Sequence, residues 1–179
     1  VCVRGERMSV LVTGGTGTLG HHLLGLITHS RGEPTSFASL DPIHHRFHSH
    51  VRYVNGNLLN YQQVASLLQE LRPTQIYHLA SQSSVGLSQK EPLETLNTNI
   101  LGTQNLLEAV RRTVPECRLL LLSSSDVYGP GEGQLDTIRI ESDPFRPISP
   151  YASSKACMEI IGLQYQRAFG LHVTIVRPF

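Results

Sequence analysis

Three glycines spaced three apart, Gly14, Gly17 and Gly20, follow an apolar burst at Ser9–Val12 and constrain this chain more than any other feature. A strand that ends at Thr13-Gly14 and a helix that starts inside T-G-G-T-G-T-L-G (residues 13–20) leave a helix N-terminus open to an anion. Its first N–H groups lack helical partners, and the helix dipole adds partial positive charge. A Cβ at Gly14 or Gly17 would keep a pyrophosphate off the backbone, and one at Gly20 would push the helix off the strand. The pattern fits a dinucleotide-binding βαβ unit; alone it also fits a plain turn.

The order of elements favours the first reading. Apolar bursts at Thr35–Leu40, Val51–Val54, Gln75–Ala80, Arg118–Ser123 and Leu171–Val176 predict further strands. Helical periodicity covers the stretch after Gly20 to about Thr28, then Tyr61–Leu71, Pro92–Arg112 and Pro150–Phe169. Strands alternating with helices imply parallel pairing through right-handed crossovers. The expected fold is α/β, a doubly wound parallel sheet (a Rossmann fold) of about six to seven strands. Gly129–Ser149, rich in Gly, Pro, Asp and Glu, reads as a mobile cover over a site.

A length of 179 residues suits one domain, and a net charge of +1 argues against nucleic acid as the main partner. No apolar run reaches membrane-span length. Cys2, Cys117 and Cys157 have no metal-like spacing and read as free thiols in a reducing compartment, which predicts a cytoplasmic protein. Residues 1–7 read as a non-native or disordered extension before Met8, and residues 8–179 as a cofactor-binding domain cut short at its C-terminal end.

Asp41 stands twenty-one residues past Gly20, at the end of the second strand. A carboxylate there accepts from the adenosine ribose hydroxyls and repels a 2′-phosphate, favouring NAD over NADP. The alternative is a turn opened by Asp41-Pro42. Arg46 and the histidines at 44, 45, 48 and 50 could instead meet a 2′-phosphate, so NADP stays open.

Tyr151 and Lys155 lie four apart, on one face of a helix begun by Ser149-Pro150. A free phenol, with a pKa of about 10, is a poor base at neutral pH, and a neighbouring ammonium stabilises its phenolate. A structural tyrosine beside a solvated lysine is the plainer alternative. The serines at 123–125 follow the fifth strand, where sites of such sheets open. A hydroxyl there can orient a substrate oxygen for proton transfer.

With these parts in order, the chain resembles the extended short-chain dehydrogenase/reductases, the NAD-dependent epimerase/dehydratase family acting on nucleotide sugars. The resemblance rests on the glycine loop, Y-H-L-A at 77–80, E-T-L-N-T-N-I-L-G-T-Q-N-L-L-E-A at 94–109, S-S-S-D-V-Y-G at 123–129, S-P-Y-A-S-S-K at 149–155 and R-P-F at 177–179. It implies that Ser124, Tyr151 and Lys155, with Asp126 beside them, are the catalytic set. It places the cofactor on Gly14, Gly17, Thr18, Leu19, Gly20, Asp41, Asn57, Leu58, Leu79, Ala80 and Asn99, with Tyr151 and Lys155 at the nicotinamide end. Ser83, Ser84, Ser124, Ser125 and Asp126 would meet the sugar. The family commonly has Asp where Asn57 stands, and an aromatic where Thr18 stands; the Asn57 carbonyl could still accept from the adenine amine.

Within the family the chain looks most like the GDP-4-keto-6-deoxy-mannose reductases and the GDP-mannose 4,6-dehydratases. The dehydratases carry a Glu base where Asp126 is one methylene shorter, which ranks the reductase first, the dehydratase second and a UDP-hexose 4-epimerase third. The implied partners are a nucleotide-diphosphate sugar and a second copy docked through helices 92–112 and 150–169, where Ile160 and Leu163 are candidates. Metal is not expected. A non-catalytic dinucleotide-binding module is the reading from another class.

Overall fold

The computed structural model describes residues 9–15, 17–30, 36–41, 51–130 and 138–179. The N-terminal extension, the histidine-rich stretch 42–50 and positions 131–137 of the expected cover lie outside the described residues. Six parallel strands form one sheet: β1 (Ser9–Thr13), β2 (Ser36–Asp41), β3 (Val51–Asn55), β4 (Gln75–His78), β5 (Arg118–Leu122) and β6 (His172–Val176). Their order is β3-β2-β1-β4-β5-β6, so the chain reverses direction across the sheet between β1 and β4. Ligands of such sheets bind outside the strand C-termini at that switch point.

Helix α1 (Thr18–Ser30) leaves the glycine loop, and α2 (Tyr61–Leu71) connects β3 to β4. Asn60 caps α2 by accepting from Gln63 N at 3.1 Å, and Arg72, at φ 42°, closes it. A short α3 (Val85–Lys90) follows β4, where no helix was expected. The single helix expected from Pro92 to Arg112 is instead α4 (Pro92–Leu96), a π turn at Asn97–Leu101 and α5 (Gly102–Thr113). Such turns occur often at functional sites. A 3₁₀ turn (Ser125–Tyr128) follows β5, and α6 (Pro150–Phe169) matches its predicted span. Ser149 caps α6 by accepting from Ala152 N at 3.1 Å, and Gly170, at φ 72°, ends it.

β1, at the centre of the sheet, is buried on both faces, as a covered parallel sheet requires. Leu11, Ile76, Leu119 and Leu121 meet α2, α5 and α6 on one side, through Leu68, Leu106, Leu107 and Tyr165. Val10 and Val12 meet Leu24 and Ile27 of α1 on the other. Farther along that second face cover is thinner: Leu120 and Leu122 are half-buried, while Thr174 and Val176 are exposed. No helix among the described residues is long and apolar enough to cross a membrane.

Candidate active site

A groove of about 1410 Å³ runs along the strand C-termini, from the glycine loop past β3 and β4 to the end of β5. Gly14, Gly17, Thr18, Leu19 and Gly20 form one wall. Gly14 has φ 77°, and a Cβ on it would lie 2.6 Å from Ala80 N, so the loop rests directly on the end of β4. A Cβ on Gly20 would come within 2.1 Å of the Gly14 carbonyl. Those two glycines are therefore required by loop packing. Gly17 is exposed and would meet only the Gly14 oxygen, at 3.3 Å. It leaves the open face a phosphate needs beside the free N–H groups of the first helical turn. The cradle fits a dinucleotide.

Asn57 and Leu58 line the groove beyond β3. The Asn57 Oδ1 accepts from Leu59 N at 2.9 Å, and its backbone N–H donates to Gln63 Oε1 at 2.9 Å. The carbonyl expected to meet adenine is thus engaged in a local turn. Asp41 ends β2 opposite Asn55 in the register, and its carboxylate lies outside the described side chains.

Leu79, Ala80 and Ser83 also line the groove. Ser84 is exposed and caps α3 by accepting from Leu87 N at 3.2 Å. Asn99, expected at the cofactor, is 1% exposed. Its Oδ1 accepts from Gln82 N at 2.8 Å, and its Nδ2 donates to Gln82 O at 3.0 Å and Ser154 Oγ at 2.8 Å. It braces the π turn against the β4 exit and α6.

His78, unassigned from sequence, ties these parts together. Ala80 N–H points to Thr13 Oγ1 at 3.4 Å, and Thr103 Oγ1 donates to Asn99 O at 2.6 Å. Thr103 must then accept from His78 Nε2 (2.9 Å), and Thr13 donates to His78 Nδ1 (2.7 Å). The ring is neutral, its pKa pushed down to about 3, first by burial and then by the Lys155 ammonium.

At the far end of the groove stand Ser124, Tyr151 and Lys155. Ser124 Oγ accepts from Asp126 N at 3.2 Å and is the polar neighbour that opposes the rise of the Tyr151 pKa. Lys155 is 2% exposed; its Nζ lies 5.8 Å from the Tyr151 ring centre and donates to Leu122 O at 2.7 Å. Burial pulls the Lys155 pKa down to about 8, opposed by Glu159. Tyr151 differs from expectation. Burial raises its pKa, Ser124 opposes this, and the Asp126 charge adds to the rise. The ammonium meant to lower it is engaged with the Leu122 carbonyl. Asp126 is exposed, Ser125 is half-buried with its N–H on Pro178 O at 2.9 Å, and neither lines the groove.

A sheet of this strand order with its glycine loop at the switch point is a dinucleotide-binding sheet, and a buried tyrosine–lysine pair at the end of β5 narrows it to the short-chain dehydrogenase/reductase class. A family model described as GDP-mannose 4,6 dehydratase matches residues 11–179, and the chain belongs to that family. It is 35% identical over 170 residues to the GDP-6-deoxy-D-mannose reductase of Pseudomonas aeruginosa, covering 95% of this chain and 51% of that protein. UDP-glucuronic acid decarboxylase 1 of Xenopus tropicalis is 33% identical over 177 residues, covering 97% and 41%. Among solved structures, the UDP-glucose 4-epimerase of Thermus thermophilus in complex with NAD superposes with a TM-score of 0.83 at 32% identity, covering 95% of this chain and 54% of that one. The chain thus spans about half the length of the curated relatives it matches.

Proposed function

We propose that the protein is an NAD(P)H-dependent reductase of a GDP-4-keto-6-deoxyhexose, acting at C4. The observation that carries this is the meeting of Ser124, Tyr151 and Lys155 in the groove that begins at the glycine loop, in a chain 35% identical to a GDP-6-deoxy-D-mannose reductase. A phenol is protonated at neutral pH, so Tyr151 can donate the proton that ketone reduction requires. Oxidation of a C4 hydroxyl, with which a dehydratase or an epimerase begins, asks the same residue to start as a base. When bound, the nicotinamide cofactor supplies the hydride. Gly17 and the first turn of α1 would hold its pyrophosphate, and Leu79 and Ala80, which line the groove, would meet the nicotinamide ribose. Ser124 orients the C4 oxygen, Tyr151 gives it the proton, and Lys155 balances the charge left on the phenol.

The test is NADH or NADPH oxidation with GDP-4-keto-6-deoxy-mannose. Tyr151→Phe should lose at least ~100-fold in turnover, the scale of general acid catalysis, with cofactor binding near the parent. A variant within about tenfold of the parent refutes the assignment. The family match supports GDP-mannose dehydration as the second reading. Conversion of GDP-mannose without added cofactor would install it in place of the first.

The same reading makes the protein a cytoplasmic homodimer. Ile160 on α6 and Leu101 on the π turn are exposed at 55% and 46%, while Leu163 is half-buried. Ile160→Glu together with Leu101→Glu should halve the mass in sedimentation equilibrium; an unchanged mass refutes this interface.

A further inference from the structure

The active-site face of α6 continues one turn past Lys155, to a carboxylate outside the catalytic set. Tyr151, Lys155 and Glu159 are spaced four apart on one face, and Glu159 is 2% exposed. Leu122, which ends β5, and the two serines after it meet these three side chains one by one. Ser124 shares the groove with Tyr151, the Leu122 carbonyl accepts from Lys155 at 2.7 Å, and Ser123 Oγ donates to Glu159 Oε1 at 2.5 Å. Arg177, just past β6, clamps Glu159: its Nε lies 2.9 and 3.0 Å from the two carboxylate oxygens, and its Nη2 2.6 Å from Oε2. Arg177 is itself held by Tyr128 Oη at 2.6 Å and covers the Tyr128 and Phe145 rings at 4.9 and 5.1 Å.

A buried ion pair is a poor way to gain stability, because desolvating two charges offsets most of their attraction; its better-attested use is to fix register. An apolar pair would pack α6 on the sheet without specifying where along β5 it sits. The Ser123 bond does specify it. We propose that Glu159, clamped by Arg177, is a positioning residue that sets α6 against the end of β5, keeping Ser124 beside Tyr151 and the Leu122 carbonyl on Lys155. The charged and titratable groups around Lys155 are Tyr151 and Glu159 on its own helix and His78 from β4, with Arg177 behind Glu159. Of these, Glu159 is the one that favours the ammonium.

The inference rests on the proposed chemistry only for its effect on turnover, so the experiment has two readouts. The variant is Glu159→Leu with Arg177→Met, which removes both charges together and leaves neither buried alone. Its thermal unfolding should stay near that of the parent. Turnover with GDP-4-keto-6-deoxy-mannose should nevertheless fall about 100-fold, the effect of a displacement near 1 Å, with KM for the cofactor little changed. Independently of any substrate, the Lys155 titration, followed by NMR of lysine-labelled protein and assigned with Lys155→Met, should move down by about one pH unit. Glu159→Asp, which keeps the clamp one methylene shorter, should recover part of both. A folded double variant with parental turnover and parental Lys155 titration overturns the proposal. If the parent turns over no ketosugar, the reductase reading falls, and the Lys155 titration still decides the positioning role by itself.

Discussion

Lowering the pH should unfold this protein through His78 before it does so through any carboxylate. The imidazole is 1% exposed, and both ring nitrogens are engaged by threonine hydroxyls, that of Thr103 held as an acceptor by its own bond to Asn99 O. Protonation at Nδ1 would bury a positive charge in a site that already holds the Lys155 ammonium. The folded pKa is about 3 against an ordinary 6.5. The unfolded chain therefore takes the proton first. The stabilisation is fully present above pH 6.5 and is lost as pH falls towards the folded pKa of about 3. At about 1.4 kcal/mol per unit, the difference is worth about 5 kcal/mol, a large part of the stability of an ordinary domain. Glu108, held down to about 2 chiefly by Arg111, begins to contribute only below its ordinary 4.5. Between 6.5 and 4.5 the slope is assigned to His78, at about 3 kcal/mol over that window. Urea unfolding of the intact protein should be followed from about pH 7 downward for the parent and for His78→Gln, which can keep a donor and an acceptor and does not titrate. The parent should lose about 3 kcal/mol more than the variant by pH 4.5. Parallel curves would refute the buried neutral imidazole.

Two further outcomes test the cofactor groove. Gly20→Ala sets a methyl 2.1 Å from the Gly14 carbonyl and 2.5 Å from Gly15 Cα, so the loop must move off β4 or α1 must shift. NAD affinity measured by calorimetry should fall by at least about tenfold, or 1.4 kcal/mol; an unchanged affinity would mean the loop is not the pyrophosphate cradle. Asn57→Asp keeps an oxygen for Leu59 N and supplies a second that can accept from an adenine amine. NAD should then bind roughly fivefold more tightly, about 1 kcal/mol for one hydrogen bond, while an equal or weaker affinity would place adenine elsewhere.

The strands, the glycine loop and the span of α6 were legible because each is a local pattern: apolar bursts, glycine spacing, and a helical period that starts at Ser149-Pro150. Parallel pairing was legible for the same reason, since alternating strands and helices require right-handed crossovers, whereas the strand order came from the fold. The break in the helix after Pro92 was not. Its cause is the Asn99 amide bonding both backbone groups of Gln82, a contact seventeen residues away with no trace in helical periodicity. α3 was missed because V-G-L-S-Q-K is too short to show a period, and its start depends on the Ser84 cap that was read as a sugar contact.

The site divides along the same line. Motif spacing brought Ser124, Tyr151 and Lys155 together, because helix pitch and strand end are properties of the chain close by. What decides how those groups behave comes from afar. Lys155 is drawn to the Leu122 carbonyl across thirty-three residues, and Tyr151 is shaped by burial more than by the ammonium four residues on. A tyrosine–lysine spacing identifies partners, whereas the direction in which the phenol's pKa moves depends on what each partner already holds. Glu159 shows how far spacing could have been taken. It continues the same four-residue series, and a charged residue on an otherwise buried helix face demands a counter-charge. The arginine that answers it, Arg177, stands in the Arg-Pro-Phe stretch at residues 177–179 and makes the ion pair to Glu159. The two strings were visible separately, and only the fold of β5 against α6 and β6 makes them one device.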